Sequence, residues 1–234
     1  MKIIAYRNKR DIDIQFEDGV IVEHRKYSDF KAGAIKNLMF PSVCGVGYLG
    51  GNKYKVSINR KPTMEYDKWY RMLRSCYSDK EKQRFPTYEK CTVCDEWLNF
   101  QNFAEWIQGN YYEIPGEIMC LDKDILFKGN KIYSPSKCCI VPDNINILFT
   151  KSDSARGEFP IGVSWHRSHG SFIAQMNRDG KLIHLGEYNN PIDAFNKYKI
   201  EKENEIKRQA NKYKEFLPSN IYEALMKYKV DIND

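Results

Sequence analysis

The stretch Gly162–Glu203, "GVSWHRSHGSFIAQMNRDGKLIHLGEYNNPIDAFNKYKIEKE", decides how the last third of the chain folds. Three short runs, "IGVSWHR", "SFIAQMN" and "KLIHLGEY", alternate apolar and polar residues, the period of strands with one buried face. Ser168–Gly170 and Asp179-Gly180 separate them, and Asp-Gly between such runs is a hairpin signal. Asn190-Pro191 then reads as a helix start, with Asn as cap and Pro in the first helical position. The helical run continues to Leu217-Pro218, and a last helix starts at Ser219. Alternation sorts the sheet into two faces. Val163, Trp165, Phe172, Ala174, Met176, Ile183 and Leu185 make an apolar face that packs on the helix. Ser164, His166, Gln175, Asn177, Leu182 and His184 point the other way. Gln and Asn pair with adenine edges, while His and Ser donate to bases or phosphates. Arg167, Arg178 and Lys181 lie at the strand ends, suited to backbone phosphates.

Upstream, Cys120–Asn146 reads "CLDKDILFKGNKIYSPSKCCIVPDNIN". A charged cluster closes one strand, a glycine turn and a second short strand follow, and an Asn-bearing helix comes next. Before it, residues 63–108 have helical periodicity. Tyr66, Trp69, Tyr70, Leu73 and Tyr77 recur on one stripe, and Trp97, Phe100, Phe103, Ala104 and Ile107 on another, with Asp95 as candidate cap. These stripes are expected in the core. Residues 1–56 read as β: Ile12, Ile14 and Phe16 alternate with acids, and Asp18-Gly19 leads to a return strand, "VIVEHR". "CGVGYLGGNKYKV" offers a further turn and a short closing strand, which together predict a small barrel. Seams are expected near 57–63 and 150–158.

The chain has 234 residues and a formal charge of +6, with 11 Lys+Arg against 6 Asp+Glu in residues 1–60. That modest basic excess favours phosphate backbones only slightly. Arg7, Lys9, Arg10, Arg25 and Lys26 are the candidates for a backbone clamp there. Mean hydropathy is −0.64, and no apolar run approaches the roughly 20 residues of a membrane span. The first residues, "MKIIAYRNKRDIDIQ", contain no apolar signal region, so a cytosolic location and no membrane partner are expected. Seven cysteines without a secretory signal argue for reduced thiols. Phosphate-loop and dinucleotide fingerprints are absent.

Residues 162–203 resemble an AP2-type DNA-binding domain, through Gly162-Val163, Phe172-x-Ala174-x-Met176, Leu185-Gly186-x-Tyr188, and Ala194 with Tyr198. The resemblance implies a three-stranded sheet laid into the major groove and braced by a helix. The middle segment resembles phage-encoded proteins related to HNH and homing endonucleases. It does so through "YDKWYRML", "CTVCDEW", "CLDKDI", "IYSP" and "VPDNIN". The first 60 residues resemble SH3-like segments found beside such modules. Together these imply an α+β chain of three modules: an SH3-like β-barrel over 1–60, an HNH-like ββα domain over 61–150, and an AP2-like domain with a helical tail over 156–234. Double-stranded DNA is the implied partner, inside a bacterial host cell.

In an HNH site a histidine activates water and a metal neutralises the scissile phosphate. Here Lys123 stands at the histidine's position, between Asp122 and Asp124, and a protonated lysine takes no proton from water. Asp122, Lys123 and Asp124 are the candidate catalytic residues. Asp122, Asp124 and Asn146 are the candidate ligands, with Asn144 nearby, and oxygen donors of this kind suit Mg²⁺. Cys91 and Cys94 form half a zinc site, but Cys120, Cys138 and Cys139, which could complete it, offer no second pair of that spacing, which argues against zinc. Two functions follow. One is a metal-dependent, homing-type endonuclease directed by the AP2-like sheet. The other is a non-cutting descendant that acts as a DNA-binding regulator or inhibits a host nuclease or defence complex.

Overall fold

Residues 1–150, 158–232 and 234 are described by the computed structural model. The seam expected at 150–158 lies almost wholly outside them. In chain order the elements begin with β1 (Lys2–Asn8), β2 (Asp11–Gln15), β3 (Ile21–Arg25), α1 (Tyr27–Lys31), β4 (Ser57–Ile58) and β5 (Lys61–Pro62). There follow α2 (Met64–Tyr77), α3 (Asp79–Arg84), β6 (Thr92–Val93), α4 (Asp95–Leu98) and α5 (Phe100–Asn110). Next come β7 (Met119–Asp122), β8 (Ile132–Tyr133), β9 (Cys139–Pro142) and α6 (Asp143–Asn146). The chain continues with β10 (Val163–His166), β11 (Ser171–Arg178), β12 (Lys181–Tyr188), α7 (Pro191–Lys212) and α8 (Ser219–Lys227). The class is mixed α+β, with small antiparallel sheets. Two compact units emerge: Met1–Ser78 with Val93–Ile107, and Asp79–Thr92 with Gln108–Asp234. Among the described residues no helix is long and apolar enough to cross a membrane.

In the first unit, β1, β2 and β3 form an antiparallel sheet in that order. Its alternation buries Ile12 and Ile14, which pack with Ile35, Val22 and Phe30. The sheet does not close into the expected barrel. The glycine-rich run that was to supply the closing strand forms only isolated bridges, Val43 with Gly47 and Tyr48 with Asn99. One side chain takes several of its backbone polar groups: Gln101 Nε2 donates to the carbonyls of Leu49 and Gly51, and its Oε1 accepts from Tyr54 N–H at 2.7 Å. Both aromatic stripes are core, with Trp69, Leu73, Trp97, Phe100, Phe103 and Ile107 fully buried. The tyrosines of the first stripe lie at its margin, Tyr66 and Tyr77 half-buried and Tyr70 38% exposed. Thr63 caps α2 by accepting from Tyr66 N–H. The single helix expected from Asp95 onward is two helices. Asn99 is extended, and its Oδ1 accepts from Gln101 N–H at 2.9 Å, which starts α5 afresh. Cys94, not Asp95, is the cap position of α4.

In the second unit, β10–β11–β12 form an antiparallel sheet packed on α7. The tip between β11 and β12 has positive φ at both Asp179 and Gly180, the conformation a type I′ hairpin turn requires. Asn190 Oδ1 accepts from Asp193 N–H at 2.8 Å, and Pro191 opens α7, as the sequence predicts. Met176, Phe195, Tyr198 and Val230 form the core, with Val163, Ile183, Leu185 and Tyr228 against it. Gly162 has φ +76°, and a Cβ there would overlap the Tyr198 ring. Gly162→Ala is therefore expected to cost about 1–3 kcal/mol in urea unfolding, through overpacking and backbone strain. A variant as stable as the parent would contradict that packing.

β7 pairs antiparallel with β9, Asp122 opposite Cys139, and α6 follows directly. A polar knot joins this hairpin to α7: Tyr213 Oη donates to Glu117 Oε1 at 2.6 Å, and Asn144 Nδ2 donates to Glu117 Oε2 at 2.9 Å.

Candidate nucleic-acid interface and the buried acid cluster

Register decides what the sheet presents. Gln175 lies opposite His184 and Asn177 opposite Leu182, on the face turned away from α7. Ser164 lies opposite Ile173, and His166 opposite Ser171. Asn177, Leu182 and His184 are exposed, Leu182 at 69%, while Gln175, Ser164 and His166 are half-buried. Arg167 and Lys181 are exposed at the two ends. On the opposite face Ala174 and Met176 are buried. Trp165, expected against the helix, is 44% exposed and rests edge-on against Phe172, with ring centroids 4.7 Å apart.

Arg178 stands elsewhere than expected. Strand parity puts it on the Met176 face, where its guanidinium meets Glu201 at 3.2 Å and Glu205 at 3.1 Å on α7. It braces sheet to helix and is not presented to a phosphate. Glu205 is almost fully buried and also receives Arg208, whose Nη2 reaches Asp179 at 2.7 Å.

Reading by parity alone misses Glu187. The β11–β12 ladder slips by one residue between Ala174 and Gln175, so that Gly186 pairs with Ala174 while His184 pairs with Gln175. This bulge turns Glu187, opposite Ile173, onto the same face as Gln175. Glu187 there accepts from Ser171 Oγ at 2.7 Å and lies 3.0 Å from His169 Nδ1. Gly186, at φ +133°, is the one sequence signal for such a bulge.

In the Asp122–Lys123–Asp124 cluster at the end of β7, Asp122 and Lys123 are buried and Asp124 half-buried. Asp122 Oδ1 accepts from the N–H groups of both Asp124 and Ile125 at 2.7 Å, so the carboxylate ends the strand and starts the turn. Burial nevertheless pushes its pKa up to about 6, against the pull of those two bonds. Lys123 is 8% exposed and its Nζ donates to the Asp124 carboxylate, 5.9 Å from the Tyr133 ring centroid. Burial lowers the Lys123 pKa, but pairing with Asp124 outweighs it and leaves the group above its ordinary value. Lys123 is thus a held cation. Asn144 is engaged by Glu117 and Tyr213. Asn146 is half-buried at the end of α6, and its carbonyl accepts from Thr150.

Among the described residues, His, Cys, Asp and Glu ligand atoms converge in threes at two other places: His166, His169 and Glu187, and Asp11, Asp13 and His24. The second already holds a cation, since Arg7 Nε contacts Asp11 at 2.8 Å and its terminal nitrogens contact Asp13. Arg7 is therefore spent within its own sheet and not free to clamp a backbone. Cys91 is buried, with Sγ 3.5 Å from the Thr87 carbonyl, and burial pushes its thiol pKa up. Burial pushes the Cys94 thiol up as well.

No family model, characterised protein or solved structure matches the chain.

Proposed function

We propose that the chain binds double-stranded DNA through the open face of the β10–β12 sheet, and that the Asp122–Lys123–Asp124 cluster serves the fold and not phosphate cleavage. The observation that carries the first half is the paired array on the β11–β12 hairpin: Gln175 opposite His184, then Asn177 opposite Leu182, facing away from the helix. The major groove admits a two-stranded β-ribbon, where amides and imidazoles read base edges and an apolar tip such as Leu182 suits a thymine methyl. Arg167 and Lys181 flank the array, with the net charge of +6 favouring the encounter. The second half rests on Asp122, whose Oδ1 is occupied by two backbone donors, and on Lys123, which is held by Asp124.

The test is a selection of bound sequences from random duplexes, followed by mobility shifts. Gln175→Ala and His184→Ala should each lower affinity for the selected site by roughly 1–3 kcal/mol while sparing random DNA. Arg167→Ala and Lys181→Ala should weaken all sequences alike and reduce the salt slope by about one each. Equal losses on selected and random DNA for the first pair would refute base readout. Supercoiled plasmid incubated with Mg²⁺ or Mn²⁺ should stay intact. Metal-dependent nicking that disappears in Asp124→Asn would instead establish the endonuclease.

A further inference from the structure

We propose that His166, His169 and Glu187 form a binding site for a divalent transition-metal ion of the zinc class. The three ligand atoms lie within 4.8 Å of one another. The turn after β10 brings them together: Gly170 N–H donates to the His166 carbonyl at 2.9 Å, which folds His169 back so that its ring stands 4.1 Å from the His166 ring at 86°. Glu187 joins from β12 only because of the bulge beside Gly186.

Three features separate this group from an ordinary surface pair. His169 Nδ1 lies 3.0 and 3.1 Å from the two Glu187 oxygens, close to the roughly 3.3 Å between neighbouring donors on a tetrahedral zinc ion. His166 Nδ1 is buried and has no hydrogen-bond partner among the described residues, an unusual state for an imidazole nitrogen. Ser171 Oγ donates to Glu187 Oε2 at 2.7 Å, fixing the carboxylate as outer partners of metal ligands commonly do. The Asp11–Asp13–His24 group makes the contrast, because there the Arg7 guanidinium already supplies the positive charge.

Two imidazoles and one carboxylate suit zinc and its first-row neighbours and not Mg²⁺, which prefers six oxygens. Three protein donors leave a fourth position open to water or to an anionic ligand. The His169 side chain is 56% exposed and that of Glu187 36%, so an ion has access from solvent. The site stands whether or not the sheet binds DNA.

The experiment uses the full chain without a histidine tag, stripped with a chelator and titrated with Zn²⁺ by calorimetry, then with Co²⁺ by absorption. One ion per chain is expected, with visible Co²⁺ bands and no thiolate charge-transfer band. His169→Gln and Glu187→Gln should each weaken binding at least about 10-fold, and Ser171→Ala by about 10-fold through its hold on Glu187. Unfolding curves matching the parent's would show that ligands, and not the fold, were lost. If one variant misfolds, the other and Ser171→Ala carry the test. Absence of binding, binding that survives both ligand substitutions, or a cobalt spectrum dominated by thiolate overturns the proposal.

Discussion

Glu205→Ala is expected to destabilise the second unit by about 3–5 kcal/mol, the usual cost of removing one partner from a buried charge network. Glu205 is 2% exposed and faces Arg178 at 3.1 Å, Arg208 at 2.7 Å and the Gln209 amide at 2.9 Å. Its loss leaves two guanidinium groups beside each other without their shared counter-charge. It also takes the partner of Gln209 Nε2, in a side chain whose Oε1 already has none. Each arginine keeps one further acid, Glu201 or Asp179, which holds the expected cost toward the lower end. Urea unfolding followed by circular dichroism gives the number. Arg208→Ala, at a side chain 47% exposed, should cost about 1 kcal/mol or less. A Glu205→Ala variant within about 0.5 kcal/mol of the parent would show that the network contributes no net stability.

Asp122 should respond in two opposite ways to two substitutions. Asp122→Ala strands the N–H groups of Asp124 and Ile125 inside the turn, at roughly 2–4 kcal/mol for the two donors. Asp122→Asn keeps an acceptor oxygen in place and removes the charge. The folded carboxyl titrates near 6 against an ordinary 3.8, so it binds more protons folded than unfolded across that interval. Its favourable contribution is therefore complete below pH 3.8 and is lost as pH rises through about 6. The stability of Asp122→Asn relative to the parent should accordingly climb between pH 4 and pH 6 and level off above. A flat difference across that interval would mean that Asp122 is ionised throughout and that burial does not control it. The alanine variant is a poor probe of cleavage, because it removes the turn together with the acid.

What the sequence discloses here follows from the range of each interaction. Asn190 and Pro191 mark the start of α7 to the residue, because a cap is made within three positions of itself. The stripe from Trp97 to Ile107 is legible as core for the same reason of short period, and every member is buried. The break at Asn99 inside that stripe is not legible, since helical spacing survives an interruption that merely re-caps the chain. The missing barrel closure is not legible either: Leu49, Gly51 and Tyr54 bond their backbone to Gln101, some fifty positions away. On the β10–β12 sheet, parity puts Gln175, Asn177 and His184 on the face turned away from α7 and Arg178 with Met176, facing α7, as the register has them. Only the one-residue slip beside Gly186 defeats parity, and with it goes Glu187. The burial of Glu203 and Glu205 on a helix of otherwise charged aspect depends on Lys229, Val230 and Arg178, none of which local pattern connects to them.

The exposed indole of Trp165 gives the second unit an optical label of its own. Trp69 and Trp97 are fully buried in the first unit and Trp106 is half-buried there, so their emission belongs at shorter wavelength and resists a dissolved quencher such as acrylamide. Trp165 alone lies in the second unit, 44% exposed and adjacent in sequence to His166, where its emission should be red-shifted and open to collision. A paramagnetic ion held at the neighbouring His166 would dim the red component and leave the blue one as an internal reference. One unmodified chain would thus report by colour on the metal site proposed above.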